Sequence, residues 1–141
     1  MNQRPVYIDL RKIKLPMSAF SSITHRLSGM YIFFISLPLF VYLLFISTLN
    51  KGSYELMYES LQSLTFFTVF VFFSFSVFWY HILTGVRHLF MDFFHLGESL
   101  KGSYYSSIFV LCLWLVSTIG FFGHIYLWKA QLFGLYKDIA L

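Results

Sequence analysis

The chain has 141 residues, of which 58% are hydrophobic, 23% aromatic and only 11% charged, with a net charge of +4. Soluble domains carry roughly a quarter charged residues, so this chain is too poor in charge to cover itself with a solvated surface. That excludes a soluble enzyme, a disordered segment and a nucleic-acid binder. It leaves one integral membrane domain, residues 1–141, of all-α class.

In chain order, residues 1–15 form a basic segment with Arg4, Arg11, Lys12 and Lys14. Pro16 follows, pre-set for the first turn of a helix and lacking an N–H that would be orphaned there. The first helix is therefore predicted to start at Pro16, ahead of its apolar run, so that Met17 to Arg26 make unusually polar opening turns. Uncharged runs extend from Leu27 to Asn50, from Ser60 to Val86 and from Gly102 to Trp128. Each is longer than the ~20 residues a helix needs to cross ~30 Å of hydrocarbon. A lone strand would leave its backbone groups unpaired in lipid, so three helical spans are expected at roughly 22–49, 61–90 and 103–128. Pro38 is expected to kink the first. That first run starts too late and is too long for a signal peptide. The single cysteine, Cys112, excludes an internal disulfide and a site of thiolates alone. In its apolar run it reads as a small buried hydrophobe.

Lys and Arg near the span ends set orientation. The N-terminal segment through Arg26, with Arg87 and Lys101 of the second loop, outweighs Lys51, Lys129 and Lys137 by seven bases to three. The N-terminus is therefore expected in the cytoplasm, with Tyr126 and Trp128 in an aromatic belt at the far end.

Polar side chains at membrane depth are the candidates for function. In the second span His81, Gly85, His88 and Asp92 share one face within roughly a 60° arc, continued backwards by Ser74 and Phe70. A neutral imidazole at His81 can offer a ring nitrogen to iron without burying a charge, and Gly85 leaves room for a flat group. A haem held by two imidazoles then needs a second from another chain or from a rearranged His88. A histidine hydrogen-bonded between closely packed helices explains the same spacing. Arg87 and His88 can hold carboxylates, or serve as a topology signal with an Arg87–Asp92 pair. On the first helix Ser18, Ser22, Arg26 and Gly29 share a face, with His25 on its flank. A hydroxyl and a guanidinium one turn apart at the interface suit the carbonyl oxygen of a quinone, or are interfacial serines beside a snorkelling arginine. His95, His124, Tyr31, Tyr104 and Tyr105 read as interfacial or packing residues.

Three segments occur in order: Arg4-Pro5-Val6-Tyr7-Ile8-Asp9-Leu10, Ser22-Ile23-Thr24-His25-Arg26-Leu27-Ser28-Gly29, and Tyr80 to Asp92 with the pattern H-x-x-x-G-x-R-H-x-x-x-D. Together they resemble the cytochrome b556 family of succinate dehydrogenase membrane anchors over nearly the whole chain; the third span matches only in hydropathy. The resemblance implies a multi-pass subunit of a bacterial inner (cytoplasmic) membrane enzyme whose succinate-oxidising site lies in other chains. Its implied partners are a flavoprotein subunit, an iron–sulfur subunit, a sister membrane anchor and membrane lipid. It implies His81 as an axial ligand of haem b shared with the sister anchor, and Ser22 and Arg26 at the ubiquinone site. His25, Arg26 and His88 are implied around the haem propionates, and Asp92 is matched without a role. A purely structural anchor for soluble redox subunits is the competing reading. A small channel is disfavoured because the polar stripe stops near mid-membrane.

Overall fold

The computed structural model describes residues 15–95 and 99–139, the stretch 128–139 by its backbone alone. The basic residues Arg4 to Lys14 and the side chains of Trp128, Lys129 and Lys137, used above for orientation, lie outside the described residues. Every regular element among the described residues is helical. Three stretches, Met17–Leu49, Phe66–Phe94 and Leu100–Leu127, are long and apolar enough to cross a membrane.

The first span comprises α1 (Met17–Tyr31), a π-helical turn (Ile32–Ser36) and α2 (Leu37–Leu49). Pro16 stands at the cap of α1 in extended conformation, and its carbonyl accepts from the Ala19 and Phe20 amides at 3.0 and 3.1 Å. Pro38, at the start of α2, has no N–H for the Phe34 carbonyl and its ring crowds that oxygen. The helix widens just before it, with the Leu37 amide donating to the Ile32 carbonyl five residues back. The irregularity expected at Pro38 thus takes the form of a π turn.

The connection to the second span is itself a helix, α3 (Lys51–Gln62). Asn50 breaks the chain direction with an extended backbone, and its Oδ1 accepts from the Ser53 amide at 2.9 Å. Lys51, Glu55 and Glu59 are exposed one turn apart, with Lys51 and Glu55 3.7 Å from one another. Met57 and Ser53 turn towards the bundle. The second span, α4 (Phe66–Phe94), consequently begins at Phe66 rather than at 61. Hydroxyls decide this boundary: Thr65 Oγ1 accepts from the Thr68 amide, and Thr68 Oγ1 donates to the Ser60 and Ser63 carbonyls at 2.9 and 2.7 Å. Absence of charge located the membrane run but not the cap. α4 stops at His95, in a left-handed conformation with φ 52°. α5 (Leu100–Ile139) continues beyond 128, where the charge pattern had ended the third span.

α1 packs on α4 and α5, α4 packs on α5, and α3 folds back on α2 and reaches α4. The interior is polar and small. Ser21, Ser36, Ser74, Thr84 and Ser107 are fully buried, whereas Val71, Tyr80 and Val110 are the buried hydrophobic residues among those described. Lipid tails are as apolar as a leucine, so large side chains gain nothing by turning inward. Small residues instead let backbones approach and give hydrogen bonds partners. Cys112 is exposed on α5, which corrects the expectation of burial.

Candidate functional site

Three cross-helix hydrogen bonds fix the register of α1 against α4. Thr24 Oγ1 lies 2.6 Å from the Tyr80 hydroxyl, Ser28 Oγ 3.0 Å from His81 Nδ1, and the Tyr31 hydroxyl 2.9 Å from Ser74 Oγ. Residues 24, 28 and 31 recur at helical spacing, so one face of α1 reads one face of α4. Tyr31 is therefore a packing residue with a hydrogen-bonding hydroxyl.

That register gathers three histidines. The His25 ring stacks on His81 with centroids 4.2 Å apart and planes 13° from parallel, and meets His88 at 5.2 Å and 44°. Gly85 is part of the same arrangement: a Cβ there would stand 3.5 Å from His25 Nε2. The room that the sequence left for a flat group at Gly85 is thus taken by the His25 imidazole. His25 Nε2 is buried and has no hydrogen-bond partner among the described residues.

His81 is held firmly. Its Nδ1 sits 3.0 Å from Ser28 Oγ and 3.3 Å from the His25 carbonyl oxygen, and a Cβ on Gly29 would come within 3.1 Å of its Cε1. Among the described residues no group of three or more His, Cys, Asp or Glu could hold a bare metal ion. The donor set fits a single imidazole ligand that would be offered to a haem: His81 is anchored through Nδ1, with Nε2 making no hydrogen bond to a described residue.

Ser22 and Arg26 stand elsewhere on α1. Arg26 is two residues from both Thr24 and Ser28, hence roughly 160° around the helix from each. It is exposed, and Ser22 is half-buried. The structure therefore brings His25, His81 and His88 together and leaves Ser22 and Arg26 on the side of α1 turned away from the Thr24–Tyr80 contact.

Arg87 departs from the Arg87–Asp92 pairing offered by the sequence. It is 6% exposed, and its Nε donates to Ser106 Oγ at 3.0 Å while a terminal nitrogen donates to the Ser103 carbonyl and hydroxyl at 3.0 and 3.2 Å. It staples α4 to α5 and makes no ion pair with Asp92, which is exposed. Two indole bonds extend the seam, Trp114 Nε1 to the Ser76 carbonyl at 3.0 Å and Trp79 Nε1 to Ser117 Oγ at 2.8 Å. Ser28 and the Thr24–Tyr80 pair are the site residues that sequence reasoning passed over. Their signal was the placement of Ser28 one turn after His25 and of Tyr80 beside His81.

A small bundle of membrane helices, sealed by hydroxyls and carrying stacked histidines between its first two spans, defines a multi-pass membrane protein. The profile of the succinate dehydrogenase/fumarate reductase transmembrane subunit family matches residues 1–121, and the chain belongs to that family. It is 36% identical over 90 residues to the succinate dehydrogenase cytochrome b556 subunit of Coxiella burnetii, covering 64% of this chain and 71% of that protein. It is 35% identical over 80 residues to the succinate dehydrogenase cytochrome b560 subunit of Cyanidium caldarium, covering 53% of this chain and 59% of that one.

Proposed function

We propose that the chain is a membrane anchor of succinate dehydrogenase in a bacterial inner membrane, with its N-terminus cytoplasmic, that offers His81 to haem b and Ser22 and Arg26 to ubiquinone. The observation that carries this reading is the state of His81, locked through Nδ1 while Nε2 makes no bond to a described residue. When bound, haem b supplies a reversible one-electron centre. A second imidazole would be supplied by the sister anchor, as the resemblance to the cytochrome b556 anchors implies.

His25 and His88 flank the ligand, and the buried, unpartnered Nε2 of His25 is suited to a propionate oxygen. Arg26, exposed on α1, is free to serve that edge or the quinone. Succinate oxidation delivers two electrons through the flavoprotein and iron–sulfur subunits, and ubiquinone takes them with two protons to become the quinol. Ser22 orients a quinone carbonyl by a hydrogen bond, while the Arg26 cation favours negative charge on that oxygen as electrons arrive. A site at the aqueous interface lets protons reach it. The soluble subunits carry the succinate chemistry.

The test is a dithionite-reduced minus oxidised spectrum of the complex purified through a tag on this chain, for the native protein and for His81→Ala. A b-type haem signal that disappears in His81→Ala supports the ligand, and an unchanged signal removes it. Ser22→Ala and Arg26→Ala should abolish ubiquinone reduction in assembled complexes that still oxidise succinate with an artificial acceptor. Normal quinone reduction in both variants would remove the quinone assignment, and with no haem signal either would leave a purely structural anchor.

A further inference from the structure

We propose that Ser28 and Gly29 are positioning residues for His81: Ser28 fixes the ring in the tautomer protonated at Nδ1, and Gly29 gives its edge room to lie against α1. This rests on the haem reading above and deepens it.

The argument follows the protons. A serine hydroxyl has one hydrogen, and a backbone carbonyl can only accept. Ser28 Oγ donates its hydrogen to the His25 carbonyl at 2.7 Å, so towards His81 Nδ1, 3.0 Å away, it can only accept. The second neighbour of Nδ1, the same His25 carbonyl at 3.3 Å, is also an acceptor. Were the serine to donate to Nδ1 instead, the ring nitrogen and the carbonyl would face each other with lone pairs. Both neighbours therefore require a hydrogen on Nδ1, which leaves the lone pair of the neutral ring on Nε2, the atom needed for iron. A donor hydrogen bond at Nδ1 also makes Nε2 the more basic ligand.

Gly29 supplies the space. A methyl there would meet His81 Cε1 at 3.1 Å, inside ordinary contact distance, so the ring must shift to admit a side chain, and its Nδ1 geometry shifts with it. Ser28 and Gly29 are consecutive on α1, and His25 contributes its backbone carbonyl from one turn earlier. One turn of the first helix thus builds the seat of a ligand carried by the second span.

The experiment uses the assembled complex and compares Ser28→Ala, Ser28→Thr, Gly29→Ala and His81→Ala, reading haem b content during dilution, its midpoint potential and its low-temperature EPR signal. Loss of a hydrogen-bonding partner behind a metal-ligating histidine costs ~10–100-fold in affinity. Ser28→Ala should therefore release haem at least about tenfold more readily, with a shifted potential, while Ser28→Thr restores both by keeping the oxygen. Gly29→Ala, which favours the helix and so should fold, should alter the EPR signal through a rotated ligand plane. Native haem retention, potential and EPR signal in Ser28→Ala and Gly29→Ala, with haem lost in His81→Ala, would overturn the positioning role alone. Full haem in His81→Ala would instead overturn the haem reading beneath it.

Discussion

His25 and His81 stack at 4.2 Å with their planes 13° apart although 56 positions of chain separate them. The α1–α4 register achieves this with the help of two hydroxyl pairs, Thr24–Tyr80 beside the stack and Tyr31–Ser74 further along α1. The site and the fold therefore share the same bonds, and separating their contributions is the purpose of the following measurements.

Arg87 and Arg26 should behave oppositely. Arg87→Ala deletes three charge-assisted hydrogen bonds to α5 and should cost about 2 kcal/mol of stability. Arg26→Ala, at an exposed position, should stay within about 0.5 kcal/mol yet abolish ubiquinone reduction. Denaturation of the detergent-solubilised complex, read beside its quinone reductase activity, checks both. Equal stability losses would contradict the assignment of Arg87 as the staple.

The Thr24–Tyr80 contact is short, at 2.6 Å, and part-buried. Interhelical bonds of this kind average about 0.6 kcal/mol and reach about 1.7. A double-mutant cycle with Thr24→Val and Tyr80→Phe should give a coupling in that range. A coupling of zero would mean that the pair does not set the register.

Gly85 has space for a methyl but not for a branch. A Cβ at 3.5 Å from His25 Nε2 is an ordinary contact, and alanine is better than glycine inside a helix by about 0.5–1 kcal/mol. Gly85→Ala should raise thermal stability and keep the haem signal, whereas Gly85→Leu should push His25 off His81 and lose it. Visible spectra and melting curves of the two variants decide.

Orientation follows from labelling. With Cys112→Ala as background, Glu55→Cys on α3 should react with a membrane-impermeant maleimide in spheroplasts. Lys101→Cys should react only in inverted vesicles. The reverse pattern would place the N-terminus outside and move the Ser22–Arg26 face to the other surface.

Much was legible in the residues themselves. Scarcity of charge announced the membrane, and runs longer than the bilayer thickness announced three helices. The spacing of His81, Gly85 and His88 put them on one face, and Pro16 marked the start of the first helix. The α3 cap helix was not legible, because its charges at 51, 55 and 59 interrupt hydropathy without saying whether the chain there is coiled or helical. Arg87 was misread for a similar reason: its natural carboxylate, Asp92, lies on its own helix, while its real partners, Ser103 and Ser106, carry no charge and leave no pattern.

By itself, then, the sequence determined that the chain spans a membrane three times, which face of the first two spans is polar, and the family to which it belongs. The first two follow from solvent preference and helical period, which act residue by residue, and the family follows from the resemblance of its motifs. Only the tertiary structure decided that His25 lies on His81, that Gly85 accommodates that imidazole, and that Ser28 and a backbone carbonyl hold Nδ1. These depend on the register between two helices. That register is set by hydroxyl pairs worth a kcal/mol or so each, a specificity that no single helix contains.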